Sequence, residues 1–505
     1  MSTLAVIYSR AMIGMQAPLV TVETHLSFGM PQFSIVGMPE TTVRESRDRV
    51  RSALLNANYS FPDKRITVNL APADLPKEGS RFDLPIALGI LAASGQIPLE
   101  VLAGYEVTGE LALSGELRPV QGILPFAIKT RQAGKQFILP EANAEEAKLA
   151  GDITVYPAKH LLDVCAHLCG TKPITPQAAV SPPPHEEAWN GADLADVHGQ
   201  HHAKRALEIA ATGGHSLLMI GPPGTGKTML ASRLPTILPD LTEDEALEIA
   251  AIRSIARRQH TAPLTWRQRP FRSPHHTASS VALVGGGRPP CPGEISLAHS
   301  GILFLDELPE FDRRVLETLR EPLESGLVTI SRAGICAEFP ARFQLIAAMN
   351  PCPCGHAGDM QQSCRCSPDQ VNRYRARLSG PLLDRIDLHV NVPALQKQDF
   401  PKLHKQEVET SEQVKKRVIR AREIQLKRVG KLNFQLSTQE LLTYCSLTPA
   451  VAELLEQAII KFKLSTRAYH RILRVARTIA DLNEADIFSL QHMSEALSYR
   501  EIRNS

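Results

Sequence analysis

The segment Gly221-Pro222-Pro223-Gly224-Thr225-Gly226-Lys227-Thr228 follows the apolar run Ser216 to Ile220 and precedes a helical pattern that continues to Leu234. A glycine-rich loop between a strand and a helix cradles nucleotide phosphates, because its backbone N–H groups stay accessible and its lysine reaches the β- and γ-phosphates. We predict that this loop binds ATP, with Lys227 on the phosphates and the Thr228 hydroxyl on Mg²⁺. A Gly/Pro-rich loop without a ligand is the alternative interpretation.

A buried strand that ends in two carboxylates supplies the second half of such a site. The run Ile302 to Leu305 fits a strand covered on both faces of a parallel sheet, and Asp306 and Glu307 follow it directly. On a strand neighbouring the phosphate-binding strand, Asp306 would hold Mg²⁺ and Glu307 would orient the attacking water as a base. The alternative is an ordinary strand that ends in surface acids.

Length and composition are those of a globular protein of about three domains, with 505 residues of which 43% are hydrophobic and 22% charged. A net charge of +3 is nearly neutral, so any surface for nucleic acid has to be a local patch. The longest apolar run, 84–93, is too short to span a bilayer, and residues 1–10 lack the features of a signal peptide. We expect a cytoplasmic protein without a membrane partner.

Residues 1–170 mix short alternating strands, such as 33–36 and 66–70, with a helical segment at 41–56, as an α+β domain does. The stretches 75–85 and 109–122 resemble the two signature regions of the Lon-protease fold, which cleaves peptides with a Ser–Lys pair. That resemblance puts Arg81 at the nucleophile position and Phe126 at the base position, and neither can do this chemistry. Ser80 lies next to the nucleophile position but has no lysine at the expected place. We therefore predict a Lon-like domain without peptidase activity.

Domain boundaries follow from composition and periodicity. Residues 171–190 are rich in proline and predict an extended linker. The range 191–395 carries the nucleotide motifs and opens with a helix at 203–211. The range 396–505 is read as an α-helical lid with helices at 412–428, 448–463 and 469–482.

Two kinds of insert flank the acidic strand. Residues 271–277 and 285–295 are dense in Gly and Pro, which argues against regular elements, and their Arg and His content suits phosphate contact; a surface loop is the alternative. Residues 327–339 alternate apolar and polar side chains on both sides of Ala333-Gly334, which predicts a β-hairpin. The strand 343–350 follows and places Asn350 at its tip.

Four cysteines lie within fifteen residues, in the pattern Cys352-Pro353-Cys354, then Cys364-Arg365-Cys366. Four thiolates are a suitable ligand set for tetrahedral Zn²⁺, although the Cys-X-Cys spacing is tighter than that of most zinc fingers. We predict a structural Zn²⁺ site. Unligated thiols, or a site in which His356 replaces one cysteine, are the alternatives, and a disulfide does not suit the cytosol.

The order of these motifs, ending in Leu382-Leu383-Asp384-Arg385-Ile386-Asp387-Leu388, resembles the magnesium-chelatase-like AAA+ proteins of the ComM/YifB family over nearly the whole chain. The resemblance implies an AAA+ P-loop core with an α-helical lid. It implies that Val197 and His198 border the adenine through their backbone, that Asn350 senses the γ-phosphate, that Arg385 is a finger for the neighbouring subunit, and that Arg467 reaches the nucleotide as a second sensor. A salt bridge to a local Asp is the alternative for Arg385.

The family resemblance implies a hexameric DNA motor that drives branch migration while incoming DNA is integrated during natural transformation. Cations on the inserts favour this function, and we predict DNA contacts for Arg288, Arg332, Arg373 and Arg375, with Arg377 in the same group. A motor that remodels proteins, or serves a metal chelatase, would use the same ATPase motifs. It is the competing hypothesis.

Overall fold

A seven-stranded mixed sheet, a five-stranded parallel sheet and a C-terminal group of helices follow one another along the chain. The computed structural model describes residues 4–38, 40–179, 192–256, 267–332, 335–358, 362–394, 408–462 and 464–500. Within these ranges, none of the helices has both the length and the apolar character required to cross a membrane.

The N-terminal unit is built on the mixed sheet, whose strand order is β3-β4-β2-β1-β5-β8-β9, with β6 and β7 as a separate ribbon. Its strands are β1 Leu4–Arg10, β2 Leu19–Ser27, β3 Gln32–Val36, β4 Arg65–Ala71, β5 Tyr105–Val107, β6 Glu110–Leu111, β7 Leu117–Arg118, β8 Gln136–Pro140 and β9 Val155–Ala158. Its helices are α1 Thr41–Arg44, α2 Ser46–Asn56, α3 Asp83–Ala93, α4 Ile123–Gln132, α5 Ala144–Lys148 and α6 Leu161–Leu168. The predicted strands 33–36 and 66–70 and the helical segment 41–56 are confirmed.

Helix α3 forms the centre of this unit. All of its residues are buried, and it packs across β1 and β2. A helix that is apolar on every side gains the most when it is covered on every side, which explains why 84–93 is an interior helix. Strands β1, β2 and β4 bury alternate residues in the same core, because successive side chains of a strand point to opposite faces.

The two positions assigned to a Lon-type Ser–Lys pair lie against each other. The Arg81 guanidinium stands 5.2 Å from the centre of the Phe126 ring, and both residues are buried. Burial lowers the pKa of Arg81 to about 10, so this side chain remains charged at neutral pH. The neighbouring Ser80 hydroxyl donates to the Glu110 carboxylate.

The five-stranded sheet has the order β11-β14-β17-β10-β18, with all strands parallel. Its strands are β10 Leu217–Ile220, β11 Phe271–Arg272, β14 Ile302–Leu305, β17 Gln344–Met349 and β18 Leu388–Asn391. The expectation that β14 neighbours β10 is wrong, because β17 lies between them and pairs with both. The carboxyl ends of all three strands still meet at one edge of the sheet.

Helices and short elements surround this sheet: α7 His201–Gly213, α8 Lys227–Ile237, α9 Glu243–Ile255, α10 Ser280–Val284, β12 Gly285–Gly286, β13 Cys291–Pro292, α11 Glu294–Leu297, α12 Arg313–Glu317, α13 Pro322–Ser325, α14 Pro368–Arg375 and α15 Gly380–Leu383. The insert 285–295 therefore holds the ribbon β12–β13 and the start of α11, and α10 lies between the two inserts. Residues 271–272 form the edge strand β11, where no regular element was expected. The predicted hairpin is confirmed as β15 Leu327–Arg332 and β16 Ile335–Pro340. Its turn, 333–334, lies outside the described residues.

The C-terminal helices are α16 Ser411–Val429, α17 Thr438–Tyr444, α18 Pro449–Phe462, α19 Thr466–Leu482 and α20 Leu490–Ser498. They confirm the three predicted helices and add α17 and α20. Single turns of 3-10 helix lie at Ser80–Phe82, Glu100–Gly104, Glu141–Asn143, Leu194–Asp196, Leu308–Glu310 and Asn433–Gln435.

The C-terminal helices share one core with α7, α8 and one face of the parallel sheet. Of the predicted linker, 171–179 is described and follows the N-terminal unit, where the Gln177 N–H donates to Val155.

Among the described residues, the N-terminal unit contacts the unit that carries the parallel sheet at α9, at the hairpin and at Arg288. Helix α4 packs on α9, and the N–H of Gly122 donates to the carbonyl of Ser254 at 3.0 Å. The turn after β1 contacts the hairpin, since a Cβ at Gly14 would stand 3.1 Å from the Glu338 carbonyl oxygen. The hairpin and α9 are therefore packed against the N-terminal unit.

We predict that the full chain has no peptidase activity, because the resemblance to the Lon fold assigns the two catalytic positions to Arg81 and Phe126, and because Ser80 is paired with a carboxylate. The measurement is digestion of an unstructured protein with and without ATP, with Ser80→Ala as the matched variant. Cleavage that disappears in Ser80→Ala would contradict this prediction.

Candidate nucleotide site

The phosphate-binding loop joins β10 to α8 and leaves an open cradle. Gly224 and Gly226 have φ angles of +77° and +86°, a region that favours glycine, and a Cβ at either position would meet no atom within 4 Å. Gly221 is required for another reason, since a Cβ there would lie 2.1 Å from the Val392 carbonyl oxygen. The loop therefore has the shape and the accessible backbone that a phosphate chain needs.

Lys227, the first residue of α8, is held at the mouth of this cradle. Its Nζ donates to the carbonyl oxygens of Gly221 and Pro222, both at 2.8 Å, and to Oδ1 of Asn350 at 3.3 Å. Burial lowers the pKa of Lys227, and the Asp306 carboxylate opposes that shift. The structure thus brings together the predicted phosphate ligand and the predicted sensor Asn350, which follows β17.

Thr228 and Asp306 meet across the sheet. The Thr228 hydroxyl donates to Asp306 Oδ2 at 2.7 Å, and Asp306 Oδ1 accepts from the backbone N–H of Glu307 at 2.9 Å. A hydroxyl and a carboxylate beside a phosphate cradle are the hard oxygen ligands that Mg²⁺ prefers. These residues therefore fit the metal that the sequence predicts.

Glu307 points to a partner that the sequence analysis did not single out. The residue has a φ of +51°, and its Oε2 lies 3.2 Å from Nδ1 of His276. The His276 ring in turn lies 4.1 Å from the ring of His275. The carboxylate is 55% exposed, so it can be reached by water. The Arg/His-rich segment 271–277 was the only signal for this contact.

Val197 and His198 differ in their surroundings. Val197 is buried in the core that also contains Met219 and Leu230, and its N–H donates to the Leu194 carbonyl oxygen. His198 is exposed. A contact of Val197 with adenine would therefore have to be made by its backbone, as the sequence analysis expects.

Arg385 is part of a local salt bridge, which is the alternative that the sequence left open, although the partner is a glutamate. Its Nη2 lies 2.5 Å from Glu324 Oε1, and its Nη1 donates to the Pro381 carbonyl oxygen at 2.9 Å. Only 6% of its side chain is exposed. Desolvation lowers the pKa of Arg385.

Arg467 lies with Arg385 and away from the phosphate-binding loop. Both line a polar cavity of about 450 Å³, hereafter the arginine cavity. Its described lining contains five arginines and no residue of 221–228; the arginines are Arg342, Arg385, Arg467, Arg471 and Arg474. Contact of Arg467 with the nucleotide in its own chain is therefore not what this geometry favours.

A buried carboxylate fixes one wall of the arginine cavity. Asp387 accepts from Arg471 and from the Ser216 N–H, and its Oδ2 lies 3.4 Å from His215 Nδ1. Burial opposes ionisation here, yet Arg471 and His215 hold the pKa of Asp387 well below its usual range. Arg471 is thus held in this wall by an ion pair and is not a solvated surface residue.

The four cysteines of the predicted zinc site converge. Their Sγ atoms all lie within 4.8 Å of one another, with 3.4 Å between Cys352 and Cys354 and 3.6 Å from each of these to Cys364. Zinc–sulfur bonds of about 2.3 Å in a tetrahedron require sulfur atoms about 3.8 Å apart. Backbone N–H groups of His356 and Arg365 lower the pKa of Cys354 to about 6. The set fits Zn²⁺ without His356.

This cysteine cluster, Cys352, Cys354, Cys364 and Cys366, lies next to the nucleotide site. Cys352 is two residues after Asn350, and a Cβ at Gly355 would stand 2.6 Å from the Pro223 ring. The cluster therefore connects the strand that ends at Asn350 with the phosphate-binding loop and with α14.

The predicted DNA-contacting arginines are spread over different surfaces. Arg288 is 71% exposed, and its Nη2 lies 3.1 Å from Glu40 of the N-terminal unit. The backbone of Arg332 ends β15. On α14, Arg373 is exposed, whereas Arg375 lines an apolar cavity of about 480 Å³ beside Gly221 and Pro222. Arg377 pairs with Glu310 at 2.8 Å.

Comparisons with known proteins cover most of the chain. Three family models match, described as magnesium chelatase, subunit ChlI, over 193–400, subunit ChlI of Mg-chelatase over 22–143, and magnesium chelatase, subunit ChlI C-terminal, over 408–500. The chain is 53% identical over 501 residues to competence protein ComM of Haemophilus influenzae, covering 99% of this chain and 97% of that one. It is 51% identical over 508 residues to YifB of Escherichia coli, with 99% and 97% covered.

A more distant similarity is limited to part of the chain. The magnesium-chelatase subunit ChlI of Chlorella vulgaris is 28% identical over 178 residues, which are 30% of this chain and 50% of that protein.

We predict that Lys227→Ala and Glu307→Gln both abolish ATP turnover for different reasons. Lys227→Ala removes the cation aimed at the phosphates and should weaken ATP binding, whereas Glu307→Gln should keep binding and lose about 10²- to 10⁴-fold in rate with its base. Phosphate release and binding of a fluorescent ATP analogue separate the two effects. Wild-type hydrolysis in either variant would contradict the site assignment.

We predict one zinc ion per chain, held by the cysteine cluster. Mass spectrometry of the metal content should show that Cys364→Ser loses zinc, while Cys169→Ser, which changes an exposed cysteine outside the cluster, retains it. His356→Ala should also retain zinc. A Cys364→Ser variant with full zinc content would rule out this ligand set.

Proposed function

The chain belongs to the ComM/YifB family of magnesium-chelatase-like AAA+ proteins, and we propose that it hydrolyses ATP to translocate on DNA as a hexameric ring. The specific task is branch migration during recombination of incoming DNA in natural transformation. One observation carries the proposal: the phosphate-binding loop with Asp306 is separate from the arginine cavity, so each chain holds two different parts of an ATPase site. The residues at the base of the β15–β16 hairpin line this cavity.

Hydrolysis requires that ATP, an attacking water and the developing negative charge are held in fixed positions. The loop N–H groups and Lys227 bind the phosphates, and Thr228 and Asp306 hold the metal. Mg²⁺ supplies charge neutralisation on the phosphate oxygens when it is bound. Glu307 accepts a proton from the attacking water, and Asn350, held 3.3 Å from Lys227, orients that water or the γ-phosphate. Release of the His276 contact lets Glu307 reach the water.

The arginine cavity completes the site of a neighbouring copy. Arg385 and Arg467 share this cavity, which is lined by five arginines and is separate from the described phosphate-binding loop. A cluster of guanidinium groups is a receptor for phosphate, because several charge-assisted hydrogen bonds can be made at once. In a ring, each cavity would face the nucleotide of the next subunit, so we propose that both arginines act across the interface.

DNA contact is proposed for the inserts. Six hairpins that converge on one axis would place six Arg332 residues around a phosphate backbone, so a nearly neutral chain still presents a ring of positive charge. Arg288 and Arg373 are exposed. The name of the Haemophilus relative, a competence protein, supports a role with incoming DNA.

A chelatase-type or protein-remodelling motor is the second candidate. The names of the three matching family models, which all refer to magnesium chelatase, favour it. Such a motor would act on a protein partner, and DNA would not stimulate its ATP hydrolysis.

The domain assignment is part of the proposal. Residues 1–170 form a Lon-like unit for oligomer or DNA contacts, 171–190 a linker, 191–395 the ATPase unit and 396–505 the lid. The lid helices share a core with α7 and α8, so motion of the lid would be transmitted directly to the helix that begins at Lys227.

ATPase rates with single-stranded, duplex and branched DNA test this function. We expect stimulation by DNA, and we expect Arg332→Ala to weaken binding of all sequences alike and to lower the salt dependence, by about 0.9 in the slope of log K against log salt for each lost duplex phosphate contact. Binding is measured by fluorescence anisotropy at several salt concentrations. Hydrolysis without DNA should survive the substitution.

Arg420→Ala is the matched control, because it also removes one arginine charge but lies on the lid, where Arg420 pairs with Glu484. If the double variant Arg332→Ala, Arg288→Ala leaves affinity, salt slope and DNA stimulation unchanged, the inserts do not hold DNA. The protein-remodelling hypothesis is then the better one.

A further inference from the structure

We infer that Glu324 is a positioning residue that holds Arg385 in a resting position inside its own chain, and that movement of the β15–β16 hairpin releases it to the neighbouring subunit's nucleotide. This inference rests on the proposed role of Arg385. It adds to that role a second partner for the arginine and a physical route by which DNA could control hydrolysis.

The ion pair between Glu324 and Arg385, hereafter the clamp, holds a buried guanidinium group against a half-exposed carboxylate. Glu324 Oε1 lies 2.5 Å from Arg385 Nη2, Pro381 accepts from Nη1, and 6% of the arginine side chain is exposed against 51% of the glutamate. An arginine this covered cannot insert into another subunit without first leaving its carboxylate. Among the described atoms, Nε of Arg385 is buried without an acceptor, so the clamp does not satisfy the whole guanidinium group.

The charges around Arg385 favour the replacement of the Glu324 carboxylate by another anion once that carboxylate moves away. Arg320, Arg467 and Arg471 all act on it as like charges, and Glu324 is the carboxylate that opposes them. When Glu324 is withdrawn, a phosphate group is a suitable replacement, because it can accept from both terminal nitrogens and from Nε. The arginine would thus bind the Glu324 carboxylate in the resting position and a phosphate group in the released position.

Glu324 is placed where the hairpin can move it. It belongs to α13, Pro322–Ser325, and Gly326, with a φ of +69°, is the one residue between that helix and β15. The N–H of Ala341 donates to the Gly326 carbonyl at 2.8 Å, which closes the base of the hairpin. The arginine cavity is lined by both ends of this base, at 325–326 and 341–342, and by Glu324 itself.

A force on the hairpin would therefore be transmitted through Gly326 to Glu324 and its ion pair with Arg385. The six residue pairs of β15 and β16 make the hairpin a continuous antiparallel ribbon, so a load near Arg332 is carried to Gly326. A small rotation at this glycine would separate Glu324 from Arg385, since charge-assisted hydrogen bonds depend strongly on distance. DNA held by the hairpins would then promote hydrolysis in the adjacent subunit.

The test compares steady-state ATPase rates of the wild-type protein and Glu324→Gln, with and without DNA. We expect Glu324→Gln to raise the rate without DNA by about five-fold, the ratio that corresponds to loss of a partly exposed ion pair, and to reduce the stimulation by DNA accordingly. The thermal midpoint should stay the same or fall. A merely structural ion pair would lower stability and rate together.

Three further variants make the result specific. Glu321→Gln is the matched control, because it neutralises an exposed acid next to the same short helix, and it should behave as wild type. Glu324→Asp keeps the charge on a side chain one methylene shorter, so its basal rate should lie between those of the wild-type protein and Glu324→Gln. Arg385→Ala and the double variant Arg385→Ala, Glu324→Gln should be equally inactive, because the gain needs the released arginine.

An unchanged or lower basal rate in Glu324→Gln overturns the inference, and so does a gain that persists in the double variant. If DNA fails to stimulate the wild-type protein, the proposed DNA motor fails. A gain in Glu324→Gln that requires Arg385 would then still support the clamp.

Discussion

The hydrogen bond between Thr228 and Asp306 joins two strands that are not neighbours in the sheet, and the chemistry of the site depends on it. Strand β17 lies between β10 and β14, so the loop after β10 and the acids after β14 can meet only across the end of β17. Asn350 stands at that end and accepts from Lys227. The sheet order thus puts the proposed sensor Asn350 between the proposed phosphate ligand Lys227 and the proposed metal ligand Asp306, and a relative shift of these strands would change the contacts of all three residues.

The surroundings of this site are built from segments that contact one another. The cysteine cluster follows Asn350 and packs on Pro223, so a metal there would fix the sensor strand relative to the phosphate-binding loop. The N-terminal unit contacts the hairpin near Glu338 and helix α9 near Ser254. The N-terminal unit, for which we predict no peptidase activity, therefore contacts elements that are proposed to move on DNA.

Sequence alone predicts the local part of this structure well. Lys227, Thr228 and the acids at 306–307 are recognisable because glycine spacing and a buried strand leave a signature in a few consecutive residues, and the hairpin and cysteine pattern are equally local. Strand order was predicted wrongly, since nothing near 302–305 reveals that 344–349 is inserted beside it. The pairs His276–Glu307 and Glu324–Arg385 likewise cannot be predicted from the sequence alone. Each joins segments tens of residues apart, and their contact depends on the tertiary fold.

The location of Arg467 bears on whether this arginine would contact the nucleotide of its own chain or that of a neighbouring chain. An arginine beside its own phosphate-binding loop would let a single chain respond to its own nucleotide, whereas Arg467 shares a cavity with Arg385 whose described walls contain none of that loop. Arg385 and Arg467 would then both contact the nucleotide of a neighbouring chain. Since an arginine supplied to a transferring phosphoryl group contributes about 10³- to 10⁵-fold in rate, an isolated chain would bind ATP and hydrolyse it poorly. The ring would be needed for turnover, and the hairpins it gathers at its axis would be coupled to each hydrolysis event.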